Sequence, residues 1–355
     1  KTGEDEMDGL SRWAEAAKSG GAALIMQVSH AGRQTPKLVN PRPAAPSPVA
    51  LGLPGGQFGE PRAMTPDEIR AVVEGFGRAA KVAKRTGFDG VQVHAAHGYL
   101  LSSFLSPLAN RREDDWGGPL ENRARLLVDC VREAKVQGGA GFSVSVKLNS
   151  ADFQKGGFSH ADCLMVIDIL NGLGVDFVEI SGGNYEQPKM MDMEGLEPSF
   201  EETKRTSTRE REAYFLSYAK SVQDRASMPL MVTGGFRTLG GMNAALASGE
   251  ADLIGIGRPL CVDTATPARL LAGEIDTADR WEAQLRIGPG LFGPNSPIKL
   301  VKALNGFGAQ GWYYEQLRLL AAGKAPNPKL GVLKAFMAHQ KRETVSAKAW
   351  RAAMP

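Results

Sequence analysis

The stretch Val91-Gln92-Val93-His94-Ala95-Ala96-His97-Gly98-Tyr99 decides how the rest of the chain is read. Val91 and Val93 alternate with Gln92 and His94, the two-residue period of a strand with one apolar and one polar face. The alternation stops at Ala95-Ala96, and a second histidine, a glycine and a tyrosine follow at once. Two imidazoles and a phenol at a strand end can hold a carbonyl oxygen and protonate a neighbouring carbon. One histidine there would read as a satisfied core group. Two with a tyrosine, inside six residues, favour a site.

The same strand-then-helix unit recurs on both sides. Upstream, Leu10, Trp13, Ala14 and Ala17 mark a helix over 7–19, ended by Gly20-Gly21. A strand over 23–28 places Leu24, Met26 and Val28 on one face and Gln27 on the other. Ser29-His30-Ala31-Gly32-Arg33 opens a connection whose prolines, from Pro36 to Pro61, are too dense for helix or central strand. A loop of that length between confident elements reads as a functional loop over a site. Thr65-Pro66-Asp67-Glu68 is a helix start with a capping box, and an apolar stripe from Ile69 to Ala83 follows.

Downstream, a charged loop over 110–119 precedes a helix from Leu120. Strands are expected at 143–148, 177–180, 230–233 and 253–256, and helices at about 161–171, 210–224 and 239–247. Residues 184–206 read as irregular, and the chain from Ala268 as helical with Gly/Pro-rich breaks. Six such units imply a parallel sheet with helical crossovers. The polar residues gather at the C-terminal strand ends, the active face of α/β folds. Gln92, Ser145 and Glu179 on an inner face, with valines outside, favour a barrel. A buried Glu179 needs a partner, and Lys147 on the neighbouring strand is the candidate.

The last two strands end in Gly234-Gly235 and Gly257-Arg258. Glycine lets backbone N–H groups approach a phosphate, and arginine adds a charge-assisted contact. Together they point to a ligand with a phosphate, such as a mononucleotide. There is no Walker A motif, no GxGxxG between strand and helix, and no GxSxG elbow, so Rossmann-type nicotinamide binding and serine hydrolysis are not supported. A metal-dependent hydrolase using His94 and His97 is a minor alternative, because no third ligand stands nearby.

Of the 355 residues, 43% are hydrophobic and 23% charged, the composition of a globular protein. A formal net charge of +3 is too mild to argue for nucleic acid or a membrane surface. No apolar run approaches the roughly 20 residues of a membrane-spanning helix. Cys130, Cys163 and Cys261 are far apart and read as buried thiols of a reducing, cytoplasmic compartment. The chain starts at Lys1, so an upstream targeting segment is left open. The partner expected is a small-molecule substrate, and a homo-oligomer is compatible with the sequence.

Taken together, these residues resemble the old yellow enzyme family, the FMN-dependent ene-reductases and related NADH:flavin oxidoreductases built on a (β/α)8 barrel. The matching stretches are Gln27 to Arg33, His94 to Tyr99 with Leu100 to Pro107, Asn110 to Arg125, Ser181-Gly182-Gly183 and the two glycine strand ends. The resemblance implies that Gln27 bonds the pyrimidine edge of FMN and that Lys147 lies near its N1 and O2. It implies that Gly234, Gly235, Gly257 and Arg258 hold the phosphate. His94 and His97 would bind a carbonyl or nitro oxygen of the substrate. NAD(P)H would reduce the flavin, hydride would pass from N5 to the β-carbon of an activated alkene, and Tyr99 would protonate the α-carbon.

Two departures qualify that expectation. The family more often has Arg where Lys147 stands, which replaces a fork with a point charge. The family's barrel also has two strands before the one at 23–28, so the expected fold is an α/β TIM barrel lacking its first two strands in this chain. Residues 1–275 are expected to form the FMN-binding barrel and 276–355 a helical extension. Residues 290–355 contain no cysteine, so the iron–sulfur cluster of one family branch is not expected. The alternative function is a non-catalytic flavin or phosphate binder.

Overall fold

The computed structural model describes residues 3–189, 195, 197, 199, 200 and 215–353. Six parallel strands form one sheet: β1 (Ile25–Val28), β4 (Gly90–Ala95), β5 (Ser143–Asn149), β6 (Val178–Ser181), β7 (Leu230–Thr233) and β8 (Leu253–Gly255), hydrogen-bonded in that order. Between the first two of these lie the short strands β2 (Ala44–Ala45) and β3 (Arg62–Ala63), which pair with each other within the proline-rich connection. Strands β1 and β8 are the edges of the six-stranded sheet among the described residues.

Crossovers pack on the outer face. Helix α1 (Glu4–Lys18) precedes β1, and α2 (Pro66–Arg85) links β3 to β4. The short α3 (Leu100–Leu105) and the long α4 (Leu120–Gly138) follow β4. Helices α5 (His160–Asn171), α6 (Leu216–Gln223) and α7 (Leu239–Ala247) connect the later strands. The capping box at α2 forms as expected: Thr65 N–H donates to Glu68 Oε2 at 2.9 Å, and Thr65 Oγ1 accepts from Glu68 N–H at 3.3 Å. Gly77 on α2 lets α4 approach, since a Cβ there would lie 2.5 Å from Glu133 Cγ.

The parity read from the sequence becomes register. Val91 pairs with Val144, Gln92 with Ser145, His94 with Lys147, and Lys147 with Glu179. Val91, Val93, Val144, Val146, Val178 and Val232 point outward into one core with Phe76, Ala80, Leu127 and Ile167. Their burial against helices is the main apolar contribution to the fold. Every residue of β4 is buried, so Gln92 and His94 on its other face must find polar partners inside.

Strand β1 begins two residues later than the expected 23–28. The Asp89 carboxylate takes the Leu24 N–H at 2.8 Å, while the Leu24 carbonyl accepts the Asp89 backbone N–H at 2.9 Å. Residues 190–194, 196, 198 and 201–206 of the expected irregular stretch, and 210–214 of the expected helix at 210–224, lie outside the described residues.

Beyond β8, helices α8 (Thr266–Leu271), α9 (Lys299–Ala321) and α10 (Val332–Ala353) follow. A second, smaller apolar cluster gathers Leu285, Trp312, Tyr313, Val332 and Ala335. No helix among the described residues is long and apolar enough to cross a membrane.

Candidate active site

The C-terminal ends of β1, β4, β5 and β6 carry a connected set of polar side chains. His94 Nε2 lies 3.1 Å from His97 Nδ1, His94 Nδ1 lies 3.0 Å from Ser29 Oγ, and His97 Nε2 lies 2.7 Å from Ser181 Oγ. Ser29 and Ser181 each stand at or just past a strand end, so three strands contribute to this one row. His97 adopts a left-handed backbone with φ of 63°, a conformation that costs a non-glycine residue energy. It is held there because its N–H donates to Asn149 Oδ1 at 3.1 Å and its carbonyl accepts from Gln34 Nε2 at 3.0 Å. The strained residue turns the chain so that both imidazoles face the same side.

Gly98 continues the turn with φ of 76°. A Cβ there would sit 2.8 Å from both Asn184 Cβ and Gln34 Oε1. Tyr99 then starts α3, with its ring 5.0 Å from that of His94 and its hydroxyl 2.9 Å from the hydroxyl of Tyr185.

Burial sets the protonation states. It lowers His94 to about 4, with the Lys147 charge acting in the same direction and Glu179 opposing. It lowers His97 well below the usual imidazole value, again with Lys147 and then His94 adding. Both rings are therefore neutral near pH 7. Burial, then the neighbouring Tyr185, pushes the Tyr99 phenol up, so it keeps its proton.

Beside this row runs a second polar chain. Lys147 Nζ meets Glu179 Oε1 at 2.7 Å, the pairing expected from parity. Gln92 Nε2 donates to Glu179 Oε2 at 2.9 Å, and Gln27 Nε2 donates to Gln92 Oε1 at 2.7 Å. Burial alone would raise the Glu179 carboxyl, but the Lys147 charge and the hydrogen bonds it accepts hold it below the ordinary value. It is an anion. Sequence position brings Gln27, His94, His97 and Lys147 together as expected.

The glycine ends of β7 and β8 form a separate group. Gly234 and Gly235 have φ of 124° and 95°, which turn backbone N–H groups in a way other residues resist. Gly257 caps the short 3-10 turn that begins at Arg258. Arg258 is not alone. Glu282 lies 3.8 Å from Arg258 Nη1 and accepts from Arg237 Nη2 at 2.6 Å, and Tyr313 Oη donates to the same carboxylate at 3.3 Å. The two arginines hold Glu282 below its ordinary value against the opposing effect of burial.

Arg237, Glu282, Tyr185, Ser29 and Ser181 were not singled out by the sequence. Arg237 had a local signal, being two residues past Gly234-Gly235; Ser29 and Ser181 fell inside the stretches quoted for the resemblance but were given no role. Tyr185 likewise stands two residues past the quoted Gly182-Gly183, whereas Glu282, on a short 3-10 turn over Trp281–Gln284, had no such signal. Among the described residues, no group of three or more His, Cys, Asp or Glu side chains is arranged to hold a metal.

Residues 3–276 match the NADH:flavin oxidoreductase / NADH oxidase family. The chain belongs to that family. Among similar proteins, the NADH-dependent flavin oxidoreductase iliE of Neonectria sp. is 38% identical over 270 residues, 72% of this chain and 35% of the relative. The NADH-dependent flavin oxidoreductase nadA of Aspergillus parasiticus is 37% identical over 277 residues, 77% of this chain and 60% of the relative. The chain thus spans between about a third and three fifths of these two relatives. Among solved structures, the old yellow enzyme homologue from Zymomonas mobilis superposes with a TM-score of 0.63 at 25% identity, covering 78% of this chain and 75% of that one. Morphinone reductase in complex with tetrahydroNAD gives 0.61 at 26% identity, covering 78% and 73%. The six-stranded parallel sheet among the described residues is a part of the α/β barrel architecture of old yellow enzyme-like flavin oxidoreductases, with β1 and β8 left as edges.

Proposed function

We propose that this chain is the flavin-binding catalytic part of an NAD(P)H-dependent ene-reductase that uses FMN. The observation that carries the reading is that two polar rows meet on the same strand ends. A neutral imidazole pair with a protonated phenol stands beside a row of amide, ammonium and carboxylate groups, His94 being register-paired with Lys147 and Lys147 with Glu179.

The residues fit the cofactor. Gln27 offers an amide to a pyrimidine edge, and Lys147 offers a cation beside it. The left-handed Gly234-Gly235 turn, Gly257 and Arg258 offer backbone N–H groups and a guanidinium to a phosphate. Bound there, FMN would supply hydride transfer from a nicotinamide to the substrate, chemistry no side chain here provides.

The chain's own residues do the rest. His94 and His97, as neutral N–H donors, hold a carbonyl or nitro oxygen where negative charge develops on it. Their present partners, each other and the two serines, hold the rings aligned for that exchange. Tyr99 delivers its proton to the α-carbon, and its buried environment keeps that proton in place until the enolate forms. Gln34 and Asn149 keep the turn at His97 fixed.

The test is direct. FMN titrated into the protein should bind, and the loaded protein should oxidise NADH or NADPH faster when 2-cyclohexenone is added under anaerobic conditions. Failure to bind FMN overturns the reading. Binding without turnover of any activated alkene supports the flavin-binder alternative instead.

A further inference from the structure

The polar row beside the histidines has a direction, and one residue imposes it. The Glu179 carboxylate is buried and, as an anion, can only accept hydrogen bonds. Gln92, itself buried, must therefore turn its amide nitrogen toward Glu179, which it does at 2.9 Å. That turns the Gln92 oxygen toward Gln27, and Gln27 must then donate its own nitrogen, which it does at 2.7 Å. The orientation of Gln27, exposed at the strand end, is thus dictated from three strands away. On its other oxygen Glu179 accepts from Lys147 at 2.7 Å, so the same carboxylate balances the one cation in the row.

We infer that Glu179 is a positioning residue for the flavin: it sets the charge felt from Lys147 and the end of the Gln27 amide that faces the pyrimidine edge. This rests on the proposed flavin site. A free lysine beside the ring would favour the reduced, more negative flavin. A lysine neutralised at 2.7 Å by a buried carboxylate favours it much less. The pair therefore holds the reduction potential below the value Lys147 alone would give. A purely structural role for Glu179, satisfying a buried lysine, would alter stability and leave the potential of the folded protein where it was.

The experiment compares FMN-loaded wild type with Glu179→Gln, Lys147→Gln and the double variant, measuring reduction potential by anaerobic equilibration with a reference dye. Glu179→Gln should shift the potential positive, Lys147→Gln negative, and the double variant should lie between them. If Glu179→Gln does not fold, Glu179→Asp draws the carboxylate back and should give a smaller positive shift. A wild-type protein that fails to bind FMN overturns the flavin site itself. Wild type that binds FMN, with a folded Glu179→Gln or Glu179→Asp of unchanged or more negative potential, overturns only the role of Glu179.

Discussion

His94 Nε2 and His97 Nδ1 face each other at 3.1 Å, with their rings inclined at 67°. Two imidazoles so close cannot both be charged without strong repulsion, and burial already disfavours either charge. Their pairing is therefore a statement about pH as well as about substrate.

The first prediction concerns stability in acid. An unfolded histidine protonates near 6.5, while His94 in the fold does so only at about 4. Between those values the unfolded chain binds a proton that the folded chain does not, so stability falls as pH drops through that window. The slope contributed by His94 approaches about 1.4 kcal/mol per pH unit, and His97 acts in the same direction. Urea unfolding at pH 7 and pH 5 should show a loss that shrinks in His94→Gln. Equal losses in both proteins would contradict it.

Gly98→Ala should destabilise the protein by about 2 kcal/mol or more, because a left-handed backbone and a collision coincide there. The new Cβ would meet Asn184 Cβ and Gln34 Oε1 at 2.8 Å. Gln34 also holds the His97 carbonyl, so the turn carrying the imidazole pair should be disturbed with it. A thermal midpoint unchanged from wild type would show that the turn has room this geometry denies it.

Arg258→Ala should weaken FMN binding roughly 10- to 100-fold, the worth of a charge-assisted contact of about 1.5–3 kcal/mol. Riboflavin, which has no phosphate, should bind both proteins alike. Fluorescence titration of the two flavins separates a phosphate contact from general damage; equal losses for both would place Arg258 elsewhere in the account.

How much of this was legible in the sequence depended on whether the signal was local. Alternation in Val91 to His94 and in Ser143 to Leu148 fixed which side chains face inward, and with strand adjacency this was enough to pair Lys147 with Glu179 before any distance was known. Caps were equally local, as at Thr65 and Glu68. What stayed hidden depends on loops that meet only after folding. Glu282 reaches Arg237 and Arg258 from beyond β8, and Tyr185 reaches Tyr99 across 86 positions of chain. The mutual hydrogen bond of His94 and His97 was hidden too, because it requires the positive φ at His97 that no residue type signals.

If Tyr99 donates the proton to a substrate held by His94 and His97, its loss should affect only one of the two half-reactions. Stopped-flow absorbance should follow reduction of the bound flavin by NADH or NADPH, and then its reoxidation by 2-cyclohexenone, in wild type and Tyr99→Phe. Flavin reduction should proceed at the wild-type rate and reoxidation should slow roughly 100-fold or more, the usual worth of a general acid. Equal loss in both steps, or no loss in reoxidation, would contradict it.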